Sequence, residues 1–328
     1  MTSAEQPAQF ITLGNAQGLQ ITCMDFGATW VSCKVPTSQG QREVLLGGTG
    51  LEDYQHQSVY LGQTIGRYAN RIADGHYEHN GRTIQLATNH QGNTLHGGPE
   101  GFDRRIWKAE NILADAVTFT TTSPDGDQGF PGEVSAAVTY QVHHNNSVTI
   151  DYRATCSLST PLNFTNHAYF NLIDAEAGAD CRAHRLRIAA ALYLPVNSDG
   201  IPDNGLQSVN DTRYDFRQER VIDGDYDHAF LLESEPPDSQ KSRISLTSAD
   251  DHLTLDVYTD KPAIQLYTGR WLTGTPNRHG SSYGAHAGVA LETQFLPDSP
   301  NHADWPQPDC FFSPERPYHF TTRYEFST

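Results

Sequence analysis

The chain has 328 residues, enough for one large domain or two. Hydrophobic side chains make up 37% and charged ones 19%, a balance that buries a core and sets it apart from disordered, charge-rich chains. With 39 acidic against 22 basic residues the formal net charge is −17, which repels phosphate-rich partners and argues against nucleic acid or an anionic membrane face.

Taken in chain order, residues 1–6 carry no basic segment followed by an apolar run, so no secretory leader is expected. No stretch reaches the ~18 uninterrupted apolar residues of a membrane-spanning helix. Cys23, Cys33, Cys156, Cys181 and Cys310 are odd in number and scattered, with no CxxC pair. Buried free thiols in a reducing cytoplasm fit them better than a disulfide framework or a zinc site. Residues 51–54 read as at best a short helical turn. Period-two alternation then takes over: residues 116–120, 139–142, 147–154 and 253–258 each read as a half-buried antiparallel strand. The turn His144-Asn145-Asn146 joins the second of these to the third as a hairpin. Residues 233–241, with Pro236-Pro237, read as an exposed loop. Many short strands punctuated by 27 glycines and 18 prolines predict an all-β fold, a large antiparallel β-sandwich formed as a single domain over residues 1–328.

Several polar stretches break the alternation. They are Gly66-Arg67-Tyr68-Ala69-Asn70-Arg71-Ile72, Asn93-Thr94-Leu95-His96-Gly97-Gly98, Asn166-His167-Ala168-Tyr169-Phe170-Asn171-Leu172, Tyr226-Asp227-His228-Ala229-Phe230 and the run from Leu291 to His302. Glu292 ends a predicted strand, residues 288–292, and shares a face with Ala290 and Gly288. Those small neighbours leave room beside its carboxylate. A solvent-facing strand glutamate fits the same pattern. His167 is a side chain that both holds and releases a proton near neutral pH, and it fits equally as a structural histidine in a polar turn. His96 precedes two glycines that either make a tight turn or let the imidazole approach a ligand. Asn70, Arg71 and Asp227 each have a cap, ion-pair or turn alternative. The histidines show no HExxH or HxH spacing, so no metal is expected. There is no GxGxxG, GxxxxGK[ST] or GxSxG to support nucleotide binding or serine hydrolysis.

Together with Leu95-His96-Gly97-Gly98, Gly101-Phe102-Asp103-Arg104-Arg105-Ile106-Trp107, Asp125-Gly126-Asp127-Gln128-Gly129-Phe130-Pro131-Gly132 and Gln265-Leu266-Tyr267-Thr268-Gly269, these stretches, in this order, resemble the galactose mutarotase (aldose 1-epimerase) family. The resemblance runs from about Tyr60-Leu61-Gly62 to the C-terminal region. It implies a sugar groove on one sheet, with Glu292 as the base at the anomeric hydroxyl and His167 as the acid at the ring oxygen, on opposite sides of the reacting atoms. It also implies that Asn70, Arg71, His96, Asp227 and Gln265 line the sugar site, with Tyr169, Phe170 and Asn171 packed beneath His167. The implied substrates are free monosaccharides such as galactose and glucose, handled without metal or organic cofactor, by a monomer or homodimer. A hexose-phosphate mutarotase, a glycoside hydrolase using Asp227 and Glu292, and a non-catalytic sugar-binding module remain as alternatives. The chain departs from many relatives at Ile201-Pro202-Asp203-Asn204-Gly205 and in residues 216–226, which bear on the groove rim.

Overall fold

A computed structural model describes residues 8–234 and 241–328, so most of the expected loop at residues 233–241 lies outside the described residues. Strand alternation dictates the architecture. A nine-stranded sheet runs in the order Lys108–Glu110, Ala116–Ser123, Val134–His143, Ser147–Cys156, Tyr318–Ser327, Thr254–Thr259, Ile244–Thr247, Arg185–Ile188 and Arg220–Val221. Every pairing in it is antiparallel. Residues 144–146 do form the expected hairpin turn, between Val134–His143 and Ser147–Cys156. The helical turn expected at residues 51–54 extends to the short α-helix Leu51–His56.

A six-stranded antiparallel sheet runs in the order Tyr169–Phe170, Val289–Gln294, Ala263–Tyr267, Asp227–Leu231, Leu192–Leu194 and Gln207–Ser208. The N-terminal strands Phe10–Gly14, Gln20–Met24, Thr29–Thr37 and Gly40–Glu43 make a third, four-stranded sheet. One hydrophobic cluster joins all three, from Ile11 to Phe326. At its centre the fully buried Trp30, from the N-terminal sheet, packs edge-on against Tyr140 and Tyr324 of the large sheet and Phe170 of the six-stranded one. Removing a buried tryptophan costs about 3–5 kcal/mol, so this contact sets the sheet spacing as well as filling space. All five cysteines are buried and free. Among the described residues, no helix is long and apolar enough to cross a membrane.

Candidate active site

Register in the six-stranded sheet assembles the site floor. Tyr169 pairs with Ala290, Ala290 with Tyr267, and Tyr267 with Asp227. The neighbouring row pairs Glu292 with Gln265 and Gln265 with Ala229. Directly paired residues share a face, as do residues two apart. Tyr169, Glu292, Gln265, Tyr267 and Asp227 therefore stand on one face, and Ala290 and Ala229 leave the space between them. This face is dry: Glu292 is 2% and His167 4% exposed, so the solvent-facing reading of the glutamate does not hold.

The wall comes from the polar stretches early in the chain. Arg71 and Leu95 pair across two short strands, which brings Asn70 and His96 together. The His96 amide donates to the Asn70 carbonyl (3.0 Å), and the Asn70 amide donates to His96 Nδ1 (3.1 Å). His96-Gly97-Gly98 serves the turn: a Cβ on Gly97 would sit 2.0 Å from the Gly66 carbonyl oxygen. The run from Leu291 to His302 holds the same wall, since the Asp298 amide donates to the Arg71 carbonyl (2.7 Å) and Asp298 Oδ1 accepts from the Ala73 amide (2.9 Å). Arg67 points elsewhere, into carbonyls of Ser123, Pro124, Pro131 and Gly132. Its motif is architectural.

A cavity of about 420 Å³ is lined by Glu292, His167, Asn70, Arg71, His96 and Asp227. Gln265 is not among its lining residues. It lies behind Asp227, donating from Nε2 to the Asp227 carboxylate (2.6 Å). Tyr169 packs on His167 as expected but also lines the cavity. Phe170 faces the core against Trp30, and Asn171 caps the following loop by donating to the Ala179 and Ala287 carbonyls. Tyr60, His90, Tyr267 and the 71% exposed Trp271 also line the cavity. Sequence reasoning missed these four. Three of them sit in or beside quoted motifs: Tyr60 opens Tyr60-Leu61-Gly62, Tyr267 lies within Gln265-Leu266-Tyr267-Thr268-Gly269, and Trp271 follows Gly269 by two residues. A second cavity of about 360 Å³ adjoins the first and shares Arg71, His90, Asp227, Tyr267 and Trp271 with it. Asn197–Gly200 and Asp225–Tyr226 line it, whereas residues 201–205 line neither. Gly200 permits close approach to Arg71; a Cβ there would lie 2.6 Å from the guanidinium carbon.

Glu292 Oε1 and His167 Nε2 are 3.6 Å apart, side by side rather than on opposite sides of a ligand. Burial pushes the Glu292 carboxyl well up, reinforced by Asp227 and opposed by Arg71. Burial pushes His167 down to about 4. Both shifts disfavour charge, so burial favours a proton on the carboxyl beside a neutral imidazole over the ion pair. Moving that proton across the gap gives the carboxylate–imidazolium form without any exchange with solvent. His96 is likewise pushed down by burial, with His167 and Arg71 adding to it. Donor atoms of His96, His167 and Glu292 lie within 4.8 Å of one another, a spacing a divalent ion could bridge. The Asn70 amide, however, occupies the His96 Nδ1 lone pair, which places the ring proton on Nε2. That nitrogen is then a donor, which suits a hydroxyl oxygen rather than a cation.

Comparison with known proteins identifies the family. The aldose 1-epimerase family profile matches residues 9–325. The chain is 48% identical to the aldose 1-epimerase of Escherichia coli K12, over 98% of this chain and 96% of that one. It is 36% identical to human galactose mutarotase, over 94% and 91%. The structure matches a GalM/aldose epimerase homologue from C. elegans with a TM-score of 0.91 at 30% identity, covering 98% and 99% of the two chains. Family match, identity and fold agree that the chain belongs to the aldose 1-epimerase family.

Proposed function

We propose that the enzyme interconverts the α and β anomers of free aldohexoses such as galactose and glucose, with Glu292 as the base and His167 as the acid. The observation that carries this reading is a buried carboxyl and imidazole 3.6 Å apart in one sugar-sized cavity. O1 and O5 hang on the same carbon, so a side-by-side acid and base reaches both. Glu292 takes the O1 proton as His167 delivers one to O5, the C1–O5 bond breaks, and C1–O1 becomes a carbonyl. Rotation about C1–C2 presents the other carbonyl face. The protonated Glu292 then returns its proton to O1 while neutral His167 removes the O5 proton, and the ring closes as the other anomer. Each proton transfer of this kind contributes roughly 10²–10⁴-fold.

In this reading Asp227, Asn70, Arg71 and the His96 Nε2–H hold the remaining hydroxyls, supported by all four lining the cavity and by Gln265 donating to Asp227. Charge-assisted bonds of this type are the stronger ones. The five buried free thiols support a reducing compartment, the cytoplasm. Polarimetry on freshly dissolved α-D-galactose and α-D-glucose tests the activity. We expect acceleration well above buffer and no nitrophenol release from nitrophenyl glycosides. Release of nitrophenol, or sugar binding without acceleration, would contradict it.

A further inference from the structure

The reading above requires an imidazole that carries charge in a cavity where burial opposes charge. Catalytic histidines are usually oriented by an acceptor on the nitrogen remote from the substrate. No other residue supplies one to His167: its buried Nδ1 has no partner from another side chain or strand among the described residues, and only its own backbone opposes the effect of burial. Aromatic rings lie against it instead. The Tyr60 ring stacks with its centroid 5.7 Å away and the planes 28° apart. The Tyr169 ring lies at 4.9 Å and 39°. His96 meets it edge-on at 5.4 Å. With Glu292, these are the titratable groups that face the ring; Asp227 and Arg71 act through Glu292.

Both tyrosines are tied to the imidazole's own backbone. Tyr60 sits at φ +58°, a left-handed conformation that is costly for a bulky side chain and is typically retained at functional sites. Its turn is pinned by the Gly62 amide donating to the His167 carbonyl (3.0 Å) and the His167 amide donating to the Gln63 carbonyl (2.9 Å). The Tyr169 hydroxyl donates to the carbonyl of Val59, the residue before Tyr60 (2.9 Å). The three rings are thus set by one connected group of hydrogen bonds.

We propose that Tyr60 and Tyr169 are positioning residues whose rings do what a hydrogen-bonding neighbour does for other catalytic histidines, fixing the plane of the His167 ring and stabilising its charged form. The inference rests on His167 acting as the acid. A cation against an aromatic face gains energy equivalent to about half to one and a half pKa units.

NMR titration of the His167 ring in the full-length enzyme, paired with polarimetry, tests it. Tyr60→Leu removes the face and keeps most of the bulk, with Tyr60→Met as a second removal should the leucine variant not fold. Either should lower the His167 titration by about half a unit or more and reduce kcat by roughly tenfold. Tyr60→Phe, which keeps the face, should restore both. An unchanged His167 titration in the leucine or methionine variant, or a phenylalanine variant as impaired as they are, overturns the inference. His167→Asn separates the two claims. If it keeps full mutarotation, the acid assignment itself fails; if it is inactive while Tyr60→Leu titrates normally, only the aromatic clamp fails.

Discussion

The nine-stranded and six-stranded sheets treat burial in opposite ways. In the large sheet, Val134–His143 buries every other residue and turns the rest toward solvent. In the six-stranded sheet, Val289–Gln294 is buried at every position, polar residues included. Gln294, Glu292 and the adjacent Gln265 keep buried polar atoms without protein partners, as do His167 and Arg71 nearby. Unpaired buried polar groups cost stability. The first sheet stabilises the fold, and the second gives up stability to hold reactive groups ready for a ligand.

The sharpest way to break this contrast is Glu292→Gln. Mutarotation should fall by at least about 10²-fold, while the melting temperature stays level or rises because a buried carboxyl is gone. Lost stability together with lost activity would make Glu292 a structural residue. Trp30→Ala should do the converse, costing about 3–5 kcal/mol in denaturant melts while folded molecules keep near-normal kcat. A smaller effect is expected where the two sheets join. Lys261, fully buried in the crossover between Thr254–Thr259 and Ala263–Tyr267, donates to the Tyr318 hydroxyl and lies 4.2 Å from the Phe320 ring centroid. Burial holds its amine well below the ordinary lysine range, with Asp260 opposing the shift.

In the unfolded chain that lysine is protonated at neutral pH, so unfolding takes up a proton and the lysine's contribution to stability rises with pH toward ~10.4. Lys261→Met should therefore stabilise by about 1–3 kcal/mol at pH 7, with a gain that shrinks at pH 9. A gain that does not change with pH would refute a neutral buried amine. The pH profile of kcat/KM sharpens the site side of the comparison. At low pH both Glu292 and His167 are protonated and no base remains; at high pH both are deprotonated and no acid remains. A bell with limbs of roughly tenfold per unit is expected, and a flat profile would contradict the shared proton.

How much of this was legible follows from the same contrast. Residues 116–120, 147–154 and 253–258 are readable as strands because one face is wet and alternation survives. Tyr169–Phe170 and Thr165–Asn166 are two residues long and pair with the distant Val289–Ala290 and Thr64–Ile65, so no local period marks them. Glu292 could be singled out from its small same-face neighbours, and the family resemblance supplied His167. Tyr60, in a loop, and Trp271, in the 3₁₀ turn Arg270–Leu272, are isolated aromatics, and only the fold brings them to the cavity. That Gln265 lies behind Asp227 depends on side-chain direction across paired strands. The proton balance of the pair was also beyond reach, because burial, which disfavours the charged form of both Glu292 and His167, is a property of the fold.

The central claim is that Glu292 and His167 act as one unit on one sugar ring. Polarimetry of Glu292→Gln, His167→Asn and the double variant tests it directly. Groups that serve the same step are strongly non-additive, so the double variant should be no slower than the slower single one, within about threefold. Losses that multiply in the double variant would show two independent contributions and contradict the account.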